Sequence, residues 1–174
     1  LPSSLILWVT TYIETDISSI PLLWVSPLSL YLLSFIVVFA RRQVLPPWIY
    51  LVALAPMLAL VLSFLVYDAL PSRWFAIVVH LVTFFLVSLV YHGELVRTRP
   101  AAEHLTQFYL WMSLGGVLGG AFTALLAPRL FIHHWEYPLV LAVAGLALPV
   151  VHKRDKTTWM FVGLLSVAVA VSVG

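Results

Sequence analysis

The residues best equipped for chemistry crowd into one run, YHGELVRTRP from Tyr91 to Pro100, where His, Glu and two Arg stand together in an otherwise apolar chain. Glu94 and Arg97 are three apart, so on a continuing helix they meet as an i,i+3 ion pair. Pro100 ends that helix, and Glu103 falls in the first turn of the next, where a carboxylate complements the helix dipole. Arg97 and Arg99 suit anionic lipid headgroups at a membrane surface. Together with His92 these residues form a candidate cytoplasmic motif. Catalysis needs more, a nucleophile or a paired acid and base held around a substrate, and no catalytic residue is assigned.

Other ionisable groups are scattered. His80 lies near the middle of an apolar run, where such a group is costly and normally has a partner. It could hydrogen-bond to a neighbouring helix, relay protons, or contact haem or chlorophyll through a neutral imidazole nitrogen. A haem held between two His needs a second one at similar depth, and His92 is twelve residues on. His133, His134 and Glu136 flank Trp135, but adjacent His side chains do not converge on one ion without a bent backbone, so this reads as an interfacial loop and no metal site is assigned. Glu14 and Asp16 are placed to cap the helix that follows them, and Asp68 and Arg73 to pair across a short turn.

The elements that must position these groups follow from composition. Of the 174 residues 63% are hydrophobic and 9% charged, with a mean hydropathy of +1.07; a soluble domain carries about 25% charge. Apolar runs near the ~20 residues that cross a bilayer recur along the whole length. Pro, Gly and charge divide them into about six spans, residues 20–40, 47–67, 72–92, 102–127, 135–151 and 157–174, preceded by a partial helix over 1–13. The predicted fold is an all-α polytopic transmembrane bundle, one domain over 1–174, with short connections that make successive helices antiparallel.

Loop charge orients the bundle. Arg41 and Arg42, Arg97 and Arg99, and Lys153, Arg154 and Lys156 fall in alternate loops, seven basic residues against two, Arg73 and Arg129, in the others. The positive-inside rule makes the loops at Arg41, Arg97 and Lys153 cytoplasmic. Basic residues so placed orient helices and imply no nucleic-acid partner. Trp24, Trp48, Trp74, Trp111, Trp135 and Trp159 each lie in the first half of a span, as interfacial anchors do. The absence of Cys excludes disulfides, thiolate catalysis and Cys-based metal sites. Pro27, Pro56 and Pro149 stand inside spans and can kink them. A Leu start, an end within the apolar run VAVAVSVG and no signal-peptide pattern make the chain read as a fragment.

SLGGVLGG, Ser113 to Gly120, sets Gly115 four residues before Gly119 and Gly116 four before Gly120. Two small-residue ridges then run side by side along one helix and admit another backbone closely. That face packs against a helix of this chain, a second protein, or a flat pigment or lipid.

The runs HGELVRTRPAAEHLTQFYLWMSLGGVLGG and TTYIETDISSIPLLWVSPLSLYLLSFIVVFARR resemble the membrane portion of bacterial spermidine-synthase-like proteins, a major-facilitator-like region fused to an aminopropyltransferase-like domain. Many members read Cys-His-Gly-Glu-Leu where this chain has Tyr91, His92, Gly93, Glu94 and Leu95, so no thiol-dependent role carries over. The resemblance implies a multi-pass inner-membrane protein whose synthase-like domain follows on the cytoplasmic face and is absent from these residues. The leading expectation is a non-catalytic membrane module, an anchor and packing scaffold in the bilayer beside a fused soluble domain or another membrane subunit. Two alternatives are an accessory subunit of a respiratory or photosynthetic complex, and a transporter fragment for polyamines or other small solutes with His80 and Glu94 in its path.

Overall fold

A computed structural model describes residues 2–17, 22–40, 47–67, 72–130, 140–141 and 143–144. Among them every regular element is helical and there is no strand. In chain order these are α1 (Pro2–Tyr12), continued by a wide π-type turn Ile13–Ile17; α2 (Val25–Phe39); α3 (Pro47–Tyr67); α4 (Arg73–Arg97); a 3₁₀ turn Ala102–His104; α5 (Leu105–Ala121), continued by a second π-type turn Phe122–Leu126; and α6 (Ala127–Leu130).

Helix α4 is the hub, packing against α1, α2 and α3. Its start is fixed by Ser72, whose Oγ accepts the Phe75 N–H at 3.2 Å. It ends where the Thr98 N–H turns back to the Glu94 carbonyl, two residues before Pro100. Apolar residues occur all round it: Ala76, Phe84, Val87 and Val90 are at most 2% exposed, whereas Trp74, Val78 and Val82 stand on a side left open. Helix α1 wedges between α4 and α5. Its buried side is a four-residue ladder, Leu5, Val9, Ile13 and Ile17, that continues through the π-type turn. The expected partial N-terminal helix is thus a core element.

Two helical runs are long and apolar enough to cross a membrane, Arg73–Arg97 and Ala102–Leu126. Val25–Phe39 and the Val52–Val61 stretch of α3 are apolar but shorter. The expected spans over 135–151 and 157–174, with Trp135, His133, His134, Glu136, Pro149 and the Lys153 loop, lie outside the described residues, apart from four in the first of them. So do Arg41, Arg42 and Asp68.

Three details differ from expectation. Helix α4 runs five residues beyond the predicted boundary at His92, because Glu94, Leu95 and Arg97 favour helix although the hydropathy has already fallen. Glu14 lies in the π-type turn that closes α1, whereas α2 starts at Val25 behind Trp24 with no side-chain cap and no acidic residue in its first turn. The expected capping of the next helix does not occur. Pro27 stands in the first turn of α2, where its missing N–H has no intrahelical acceptor to lose, so it kinks nothing; Pro56 is inside α3.

Candidate functional site

The Tyr91–Arg97 motif occupies the last turns of α4. His92 is 2% exposed and Glu94 7%. The His92 ring stacks on Phe35 at a centroid distance of 3.8 Å and meets the Tyr31 ring edge-on at 5.2 Å. Tyr31, Ser34 and Phe35 share one face of α2 through their i,i+3 and i,i+4 spacing, so a single helix supplies both rings and a hydroxyl between them.

That hydroxyl decides the imidazole tautomer. Ser34 Oγ donates to the Tyr31 carbonyl at 2.6 Å, and a carbonyl only accepts. The Ser34 proton being used there, the 2.8 Å contact between Ser34 Oγ and His92 Nδ1 requires Nδ1–H to donate. In the neutral ring Nε2 is then the lone-pair nitrogen.

Glu94 pairs with Arg97 at 3.0 Å, the i,i+3 ion pair the spacing predicts, with the Arg97 side chain about half exposed and Glu94 nearly covered. Tyr91 donates from its hydroxyl to the Ala144 carbonyl at 2.7 Å. Arg99 is exposed beyond the helix end, and Glu103 is exposed in the 3₁₀ turn that leads into α5, the first-turn place expected of it.

The glycine face meets α1. A Cβ on Gly119 would stand 3.1 Å from Ser4 Oγ, and one on Gly116 3.6 Å from Ser3 Oγ, whereas nothing lies within 4 Å of a Cβ on Gly115 or Gly120. The contact therefore follows the i,i+3 pair Gly116 and Gly119, taking one glycine from each predicted ridge. Ser4 Oγ donates to the Gly119 carbonyl at 3.0 Å and Thr123 Oγ1 to the same oxygen at 3.1 Å, one turn before the π-type turn. Small residues on both helices let backbone and hydroxyl approach this closely.

These two sequence features, the charged motif and the glycine face, border one cavity of about 360 Å³. Helix α4 contributes Tyr91, His92, Glu94 and Leu95, its C-cap contributes Thr98, and α5 contributes Trp111, Met112, Gly115 and Gly116. Tyr31 and Phe35 of α2 and Pro2 and Ser3 of α1 complete it, with Ser3 Oγ 3.4 Å from the Tyr31 hydroxyl. The volume lies within the range of small-molecule sites, about 300–1,000 Å³. Sequence reasoning did not reach Tyr31, Ser34, Phe35 or Ser3, and it read Trp111 only as an interfacial anchor. The spacing of the α2 trio was visible, but nothing in the linear chain pairs that face with His92.

His80 is elsewhere, fully buried within α4 with its ring 4.8 Å from that of Tyr12 in α1. Among the described residues no cluster of His, Asp and Glu is arranged to hold a metal ion. No protein-family model, curated protein or solved structure matches this chain.

Proposed function

We propose that the chain is a non-catalytic helical module of a bacterial inner membrane, an anchor and packing scaffold equivalent to the membrane region of a spermidine-synthase-like protein. The observation that carries the reading is the exposure of the α5 run: over its apolar window in Ala102–Leu126 only 6% of residues are buried, against 61% for Arg73–Arg97. Leu110, Val117, Leu118 and Leu125 are each at least 60% exposed, a surface that lipid covers and water does not tolerate. Trp24, Trp74 and Trp111 are exposed as well, as interfacial anchors are.

In this reading α2, α3, α4 and the α5 run are four of six spans, and the loops at Arg41, Arg97 and Lys153 are cytoplasmic. The Tyr91–Pro100 motif then shapes the surface against which a soluble domain docks. The absence of Cys from these residues permits a direct test. Ser72→Cys should react with a membrane-impermeant maleimide on intact cells, and Arg99→Cys only after permeabilisation. Labelling of both from one side overturns the orientation. The resemblance has its own test, the intact mass and C-terminal peptides of the native polypeptide: soluble αβ sequence after Gly174 supports it, and further apolar helices alone refute it.

The exposed α5 stripe also favours a second reading, an accessory subunit of a larger membrane complex in which protein takes the place of lipid on that helix. Because α1 already occupies Gly116 and Gly119, the discriminating variants are Leu110→Ala and Val117→Ala. Loss of co-purifying subunits from either supports this version, and retention by both counts against it.

A further inference from the structure

We propose that the cavity between α1, α2, α4 and α5 binds a small neutral hydroxyarene, a flat ring whose one hydroxyl both donates and accepts a hydrogen bond. The first ground is the His92 imidazole. It is 2% exposed, borders the cavity and gives its Nδ1–H to Ser34, which leaves Nε2 an acceptor with no hydrogen-bond partner among the described residues. A buried acceptor is costly until a donor meets it. Donors line the same cavity. The Ser3 and Tyr31 hydroxyls share one contact of 3.4 Å but carry two protons, so one proton remains for a ligand, and the Trp111 indole N–H adds another. A wall that mixes an acceptor with donors suits a ligand group that is both. A hydroxyl is both, whereas an ammonium only donates and an ether or carboxylate only accepts.

The second ground is charge balance. Glu94 is the single acidic residue among those lining the cavity, and Arg97 already meets its carboxylate at 3.0 Å, so the wall offers no spare charge to an ion. An ion taken from water without a counter-charge is penalised, and a neutral ligand is not. The body of the ligand follows from the remaining walls. Tyr31, Phe35 and Trp111 offer rings for edge-on or offset contact with a flat molecule, and the bare backbone at Gly115 and Gly116 lets such a molecule lie close to α5. A cavity of about 360 Å³ is at the small end of ligand sites, which suits one or two rings. The site lies within the helical bundle and needs no lipid around it, so the labelling experiment can fail while this site stands.

The test is isothermal titration of the purified protein in detergent, after subtraction of heats from protein-free micelles, with 4-ethylphenol, 4-ethylanisole and 2-phenylethylammonium chloride. The phenol should bind. Its methyl ether, which keeps the ring but has no proton for Nε2, should bind at least about fivefold more weakly, as expected when a buried acceptor is left unmet, and the ammonium should also be weaker than the phenol. His92→Phe keeps a ring and removes Nε2, so it should erase the preference for the phenol over its ether. Gly115→Leu should weaken the phenol without lowering Tm, since Gly115 lines the cavity and a Cβ there meets no heavy atom within 4 Å. No heat at millimolar phenol, equal affinity for phenol and ether, tighter binding of the ammonium, or a preference that survives in His92→Phe overturns the proposal. Should His92→Phe fail to fold, the ether and ammonium comparisons still decide.

Discussion

At the scale of single residues, the buried polar groups at the end of α4 are fixed by donors that have one proton each. Removing the Ser34 hydroxyl leaves His92 Nδ1–H buried without its acceptor, a change that costs about 1–3 kcal/mol. Ser34→Ala should therefore lower Tm, and ¹⁵N imidazole shifts should show Nδ1–H in the parent protein and a tautomer mixture in the variant. An Nε2–H tautomer in the parent protein would contradict the assignment. Tyr91 makes a comparable commitment through its 2.7 Å bond to the Ala144 carbonyl. Tyr91→Phe keeps the ring and removes that hydrogen bond, so it should destabilise by about 0.5–1.5 kcal/mol and raise hydrogen exchange around Ala144. Unchanged exchange there would mean the hydroxyl is not the tether.

Among elements, the seam between α1 and α5 shows how a sequence pattern and a packing contact can part. Two i,i+4 glycine ridges are visible in SLGGVLGG, but helix rows three and four apart lie side by side, and the crossing direction decides which row a neighbour fills. Helix α1 settles along Gly116 and Gly119. Gly119→Leu should then overpack the seam, where Ser4 Oγ already stands 3.1 Å from a Cβ, at a cost of about 1–3 kcal/mol. Gly120→Leu, with nothing within 4 Å, should leave Tm unchanged or raise it, because Leu is a better helix former than Gly by several tenths of a kcal/mol. Equal losses from both would show that the two ridges are equivalent. The helices themselves were legible from hydropathy, and α3 begins and ends at its predicted bounds, Pro47 and Tyr67. Local chemistry was legible too, in Glu94 with Arg97. The meeting of α2 with His92 was not, since Tyr31 and Ser34 are 61 and 58 residues from His92 and no periodicity within one helix names its partner.

For the molecule at large, the core of the described residues is apolar, yet polar side chains are buried on α4 while large apolar side chains remain exposed. The polar side chains His80, Thr83, Ser88 and His92 are at most 2% exposed on α4, while apolar stripes face outward at Leu28, Leu32 and Ile36 of α2 and at Trp74, Val78 and Val82 of α4. Helix α5 adds Leu110, Leu114 and Val117. Composition foretold this greasy exterior, yet it gave no sign that the span with most polar groups would be the hub, because an even apolar background hides which helix is central. The arrangement makes Val117, 67% exposed, a decisive position. In lipid, Val117→Arg places a charge against hydrocarbon at about 2.5–3.5 kcal/mol if it sits near the bilayer centre, so the alkali-resistant membrane fraction should fall well below that of the parent protein. In water the same change relieves an exposed apolar patch and improves solubility. Parent protein released by alkali and a Val117→Arg variant that is soluble and helical by circular dichroism would together refute the membrane reading. A membrane-bound parent and a poorly inserted variant would mean that lipid covers α5, and that the cavity beside Trp111 opens from a helix whose outer face is bilayer.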